Sequence, residues 1–382
     1  MLSPEYHADT IDLVLSRRAL LLSTALLGCR RRKATGYPGY CFVANQEGRS
    51  LAVVDLSTFG RWRPVPLPDA PSQVLPHPSA AKVFALAPDS GTIFEIDVTS
   101  LAVSRRKRVA SRAISMLLAP EGGGLWILAR EPAALLELSL ESLEPRRRIA
   151  LPMPPDSFDL GPGQRAAIAC RAGQAVFLAA LDRALVERTV ALNDEPDIVS
   201  FQQKGAQIVV GSRSSYSLTM VDATSGDLLV RLPIPIQPSH FCNADEGTLF
   251  VTGEGRDAVV IVYPYLTEIG ETILAGHSPG AMAVVGRFLL VANPDANRVT
   301  ALDIDSRKLA AVVEVGREPR QIVITPDNQY ALVLNQKSGD LGVIRIAALD
   351  ARERARRYKS APLFTLIPVG EKPVSAAVVT LT

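Results

Sequence analysis

Short apolar runs of four to six residues alternate along this chain with small or polar turns, and the alternation itself repeats. A 17-residue pattern of apolar strand, turn and second apolar strand recurs eight times at steps of 40 to 42 residues. The windows are 40–56, 82–98, 124–140, 165–181, 207–223, 248–264, 288–304 and 330–346. Between the first and the seventh, Val43 and Val291, Asn45 and Asn293, and Asp55 and Asp303 fall in register without a gap. Apolar positions follow period two or form brief continuous runs, and Gly, Pro, Asn and Asp punctuate them, which predicts strands rather than helices. Two further strand candidates lie between windows, for example 62–67 then 73–75, or 309–315 then 321–325, giving four strands per unit.

A repeat of about 40 to 45 residues holding four strands is the signature of a propeller blade. The expected fold class is therefore all-β: an eight-bladed β-propeller of four-stranded antiparallel blades, with seven blades the alternative if 124–140 or 165–181 is not a true unit. The first unit begins at Tyr40 with no inner strand before it, whereas 374–381 aligns with the inner strands. The C-terminal strand should thus complete the first blade, closing the ring and removing open edges without a disulfide.

The units resemble the YVTN family of β-propeller repeats. Phe42-Val43-Ala44-Asn45, Leu290-Val291-Ala292-Asn293 and Phe250-Val251-Thr252 carry the name-giving segment. The family's aspartate after the third strand appears as Asp55, Asp97, Asp222 and Asp303, with Ser139, Ala180, Tyr263 and Arg345 in other units. The V-G-x-x-P link between blades appears at Val315-Gly316 to Pro319 and Val369-Gly370 to Pro373. The resemblance implies a fold more than a function, because propellers of this type host binding proteins, lactonases and quinoprotein or haem dehydrogenase relatives.

The chain has 382 residues and a net charge of +2, so no global field for nucleic acid is implied. Ser16-Arg17-Arg18, the apolar run 19–27 and Gly28-Cys29 read as a bacterial export signal: the run is too short to span a bilayer but suits a signal peptide. Leu26-Leu27-Gly28-Cys29 resembles a lipobox, with Cys29 the lipidated residue. The expected division is a signal peptide at 1–28, a tether at 29–39 and the propeller at 40–382. The expected setting is periplasmic or outer-surface, with the membrane reached through the lipid anchor. Cys41, Cys170 and Cys242 fall on blades one, four and six, too far apart to pair, and read as buried small hydrophobes. No C-x-x-C, haem-attachment or zinc spacing occurs.

Gly276-His277-Ser278-Pro279-Gly280 matches the nucleophile elbow G-x-S-x-G, but it occupies a link between blades and lacks the strand-to-helix setting that motif needs. Candidate ligand-binding positions follow the link prolines, at the rim of the axial funnel: Asp156, Asp197, His240 and Arg320, with Gln73 and Gln321 nearby. Two carboxylates and a histidine from successive blades suit a metal or a polar ligand, and metal-dependent lactonase propellers use axial carboxylates and amides in that way. His77 belongs at a turn away from the funnel, so a two-histidine haem site is disfavoured. Arg61, Arg63, 105–108 and 146–148, with Arg352, Arg354, Arg356, Arg357 and Lys359, predict a basic arc on the rim. Such an arc either guards edge strands against pairing or lies on anionic lipid. The sequence thus points to a rigid binding or scaffolding module at the cell envelope, for an envelope protein or a small molecule, with no cofactor needed to hold the fold. A lactonase-like hydrolase and a subunit of a periplasmic oxidoreductase are the alternatives.

Overall fold

The computed structural model describes residues 36–381 apart from 121–122, 245–246 and 351–360. The segment read from sequence as an export signal, Cys29 and the basic residues from Arg352 to Lys359 lie outside the described residues.

Eight antiparallel sheets form the blades, and all but the first take their strands in chain order from the inside outward. In the second blade these are Gln73–Pro76, Lys82–Ala87, Thr92–Asp97 and Ala102–Arg108. The innermost strands of successive blades pack against one another around the ring. The first blade is completed as expected: Pro373–Thr380 pairs antiparallel with Gly39–Asn45, placing Ala377 opposite Phe42 and Val379 opposite Tyr40. Residues 124–140 and 165–181, the two weakest repeats, each lie in a full four-stranded blade.

One strand differs from expectation. The outer strand of the first blade, expected over 62–67, is two short pieces, Gly60–Arg61 and Val65–Pro66. Both pair with Ser50–Asp55, on either side of a break at Trp62–Pro64. Pro64 and Pro66 have no N–H to give a ladder, which confines them to a sheet edge.

Middle strands are largely apolar on both sides because each blade is covered on both faces. In Gly39–Asn45 and Ser50–Asp55, Phe42, Ala44, Leu51 and Val53 pack toward the second blade, where they meet Val83, Ala85 and Phe94. Cys41, Val43, Ala52 and Val54 point the other way and pack on Leu332, Leu334 and Val343 of the eighth. The same division recurs around the ring, with at least one apolar cluster at each junction between blades. At roughly 25 cal/mol per Å² of apolar surface removed from water, this interblade packing is the main support of the disc.

Polar groups fix the turns and the junctions. Asp55, Asp97, Asp222 and Asp303 each accept backbone N–H bonds from the next few residues, at 2.7–3.0 Å. These bonds hold the Asp97, Asp222 and Asp303 carboxyls below their ordinary value. Ser139 takes the same role through its hydroxyl, which accepts the N–H of Glu141 at 3.3 Å. Between inner strands, Gln73 donates to the Met116 carbonyl and accepts the Met116 N–H, both at 2.8 Å. Gln321 accepts the Ala376 N–H at 2.9 Å. Both glutamines therefore brace neighbouring blades.

The basic residues of the outer strands also join blades. Arg63 donates to the Ser100 carbonyl at 2.9 Å, Lys107 pairs with Glu144 at 2.6 Å, and Arg105 bonds the Glu141 carbonyl. Within the second blade, Lys82 Nζ lies 2.9 Å from the fully buried Glu95, with Arg105 at 3.6 Å.

Candidate functional site

The turns between second and third strands and the links leading to the next inner strand meet on one face of the disc. The seventh position of the repeat window falls in or just before those turns, and in three successive units it is arginine: Arg130, at the end of the strand Leu125–Glu131, then Arg171 and Arg213. Each reaches toward the blade that follows it in sequence. Arg130 Nη1 lies 3.3 Å from Asp156 Oδ1, while Asp156 Oδ2 accepts the Arg171 N–H at 2.8 Å. Arg171 then spans to Glu195 at 3.2 Å and Asp197 at 3.4 Å, and Asp197 Oδ2 accepts the Arg213 N–H at 2.7 Å. Arg213 ends the ladder on Glu254 at 3.1 Å. Asp156 and Asp197 are thus joined through Arg171, each carboxylate facing one guanidinium and one backbone N–H.

Beyond Arg213 a cleft of about 680 Å³ opens across blades five to eight. It is lined by Arg213, by Ser239 and His240 on and beside the inner strand of blade six, and by the turn 253–257. Residues 277–280, Pro294, Asp295 and Arg320 complete it. His240 sits in Gln237–Asn243, opposite Thr252, and its Nδ1 is 2.9 Å from Ser239 Oγ. Burial lowers the imidazole below the ordinary value of 6.5, and Arg320 and Arg213 push it further in the same direction. The ring is therefore neutral at pH 7. Arg320 pairs with Glu318 at 2.7 Å. Across the cleft Asp257 accepts the Ser278 N–H at 3.1 Å and faces His277 Nδ1 at 3.1 Å. The Asp257 contact raises His277, while the Ser278 N–H, and after it His277, lower Asp257.

Of the positions marked from sequence, His240 and Arg320 share this cleft. Asp156 and Asp197 stand in the arginine ladder that leads to it, and no group of three or more His, Cys, Asp or Glu suited to a metal occurs among the described residues. The G-x-S-x-G segment lies in a link before the inner strand Met282–Val285, with Ser278 in a left-handed conformation at φ 54°. His77 caps its own turn, accepting the Ser79 and Ala80 N–H groups at 3.1 and 3.0 Å. Smaller cavities occur elsewhere. One of about 610 Å³ lies at the closure between blades eight and one, beside Glu47, Lys337 and Lys372. Another, of about 310 Å³, is lined by Arg287, Asp303 and Asp350.

The family described as lactonase, 7-bladed β-propeller, matches residues 258–352, about a quarter of the chain. No curated protein matches in sequence. Among solved structures, dihydro-heme d1 dehydrogenase NirN in complex with DHE superposes with a TM-score of 0.72 at 14% identity, over 92% of this chain and 77% of that one. Apo AztD from Citrobacter koseri gives 0.66 at 12% identity, over 89% and 97%. Hydrazine synthase from Kuenenia stuttgartiensis gives 0.58 at 18%, over 72% and 96%. At these identities the likeness is one of fold.

Proposed function

We propose that this propeller binds a small polar molecule in the cleft between Arg213, His240 and Arg320. The observation that carries the reading is the cleft itself: four blades contribute to it, its volume suits a metabolite, and a partly buried neutral imidazole stands beside two guanidiniums. Gly280 supplies the test. A Cβ added there meets no atom closer than 3.6 Å, so a larger side chain fills the cleft while leaving the backbone unstrained. Protein isolated from its own cells should release on denaturation a small molecule near one per chain, identified by mass spectrometry, and Gly280→Trp should release none. The same molecule recovered equally from both would refute the reading.

Hydrolysis of a cyclic ester in this cleft is the second reading, supported by the lactonase match across the segment that supplies His277, Ser278, Asp295 and Arg320. His240, uncharged at pH 7, has the character of a general base toward water. Turnover of a lactone panel, lost in His240→Gln, would favour it over binding alone. A place beside a periplasmic redox partner is supported by the fold shared with the dehydrogenase, and a visible chromophore in the isolated protein would reveal it.

The cellular setting belongs to the same proposal. An exported YVTN-type lipoprotein held by a lipid on Cys29 would present the cleft at the envelope, to a metabolite or to a partner protein. Palmitate labelling that vanishes in Cys29→Ala is the expected result.

A further inference from the structure

We propose that the ligand of this cleft carries an oxyanion, carboxylate or phosphate, held between Arg213, Arg320 and the imidazole of His240. The proposal rests on the binding reading and adds the chemistry of what is bound.

The charges of the cleft are sorted into two poles. Arg213 and Arg320, from blades five and eight, are the cations that act on His240. Asp257 and Asp295, from blades six and seven, act on His277 instead. The acidic pole is partly neutralised from within, because Asp257 takes both the Ser278 N–H and the His277 ring. The basic pole is not closed in the same way. Arg213 meets a carboxylate, Glu254, whose side chain is 77% exposed, and Arg320 meets Glu318 at 32%. The Arg213 pair is exposed and contributes little, and Arg320 gives Glu318 its Nε and Nη2 only; with five donors on a guanidinium, both arginines keep N–H groups for a second acceptor. Arg256, also in the wall, has no hydrogen-bond or ion-pair partner among the described residues.

His240 adds a donor that does not depend on protonation. With Nδ1 engaged by Ser239 Oγ, Nε2 is its remaining polar atom. If Ser239 gives its hydroxyl proton to the Thr252 carbonyl at 3.3 Å, Nδ1–H has the serine oxygen to donate to; if the proton goes to Nδ1, Nε2 carries the hydrogen. An anion at Nε2 selects the second arrangement. Two guanidiniums and a neutral imidazole N–H form a recognition set for a planar carboxylate or a phosphate, since charge-assisted bonds of this kind are short and directional. The ladder through Arg171 contributes position: Asp197 grips the Arg213 backbone N–H and is itself met by Arg171, so the turn is held without consuming the Arg213 side chain.

The test is calorimetric titration of the full chain at low ionic strength with four probes: succinate, inorganic phosphate, ethanolamine and glucose. Wild-type protein should bind succinate or phosphate or both, and the stronger of the two names the head group. Gly280→Trp should abolish the heat. Arg320→Gln should weaken binding roughly tenfold or more, as loss of a charged hydrogen bond does, while its circular dichroism and thermal midpoint stay near wild type. Glucose or ethanolamine binding that Gly280→Trp blocks, without anion binding, would overturn the anion and leave the binding reading standing. Anions that bind Gly280→Trp or Arg320→Gln as well as wild type, or that bind no form of the protein, would overturn the proposal itself.

Discussion

Gly370 is the point where the repeat's link glycine can be tested most sharply. It lies at φ +137°, a region that side-chain-bearing residues avoid, and a Cβ there would stand 2.7 Å from Asn45 Nδ2 and 3.0 Å from Asn45 Cγ. Asn45 is 1% exposed, and its amide donates to the Val369 carbonyl at 2.9 Å, joining the first blade to the link that leads from blade eight into the closing strand. Gly370→Ala therefore has two costs. Backbone strain at such an angle amounts to about 1–3 kcal/mol. Displacing a buried amide from its hydrogen bond adds about 1–3 kcal/mol. The expected loss is thus roughly 4 kcal/mol, read as a lower urea midpoint with unchanged slope by circular dichroism and by fluorescence of the buried Trp126. Gly286→Ala is the control: its φ is +54° but a Cβ there meets nothing within 4 Å, so only left-handed strain of about 1–2 kcal/mol applies. With Asn45→Ala in the background, Gly370→Ala should cost less, because the clash has gone. Equal losses in Gly370→Ala and Gly286→Ala would refute the packing argument and leave conformation alone as the reason for the glycine.

Three further outcomes follow from buried or paired titratable groups. Burial raises the Cys41 thiol from 9.0 to about 12, so its stabilising contribution is intact below pH 9 and lost as pH rises toward 12; Cys41→Ala should flatten that alkaline decline, and native Cys41 should resist disulfide reagents at pH 8. His240 is displaced the other way, so its contribution is present above 6.5 and lost as pH falls through its lowered folded value. His240→Gln should remove part of the acid destabilisation below pH 6.5, measured by urea midpoints across pH. Because each oxygen of Asp156 and Asp197 already faces a guanidinium or a backbone N–H, elemental analysis of protein purified without chelator should find no stoichiometric metal; one ion per chain, lost in Asp197→Ala, would contradict that.

The blades were legible because a strand covered on both faces is largely apolar, and eight such pairs at one spacing leave few other architectures. Closure by the C-terminal strand was legible for a related reason: the first unit lacked an inner strand and the last residues supplied one. The outer strand of the first blade was misjudged because two prolines break its ladder while the apolar pattern runs on. At the cleft, the position of His240 and Arg320 after the links was legible. So was that of Asp156 and Asp197, but not their pairing with the arginines. Arg130, Arg171 and Arg213 share one column of the aligned repeats, so that signal was present in the sequence. Asp257 and His277 carried none, since their meeting depends on how the turn of blade six leans toward the link of blade seven.

A crystal structure of the protein as isolated from its own cells tests the central claim most directly. The account expects electron density for a small molecule in the 680 Å³ cleft, with an oxyanion within hydrogen-bond reach of Arg213, Arg320 and His240. A ligand seated instead in the 610 Å³ cavity at the closure of blades eight and one, beside Lys337 and Lys372, would contradict it.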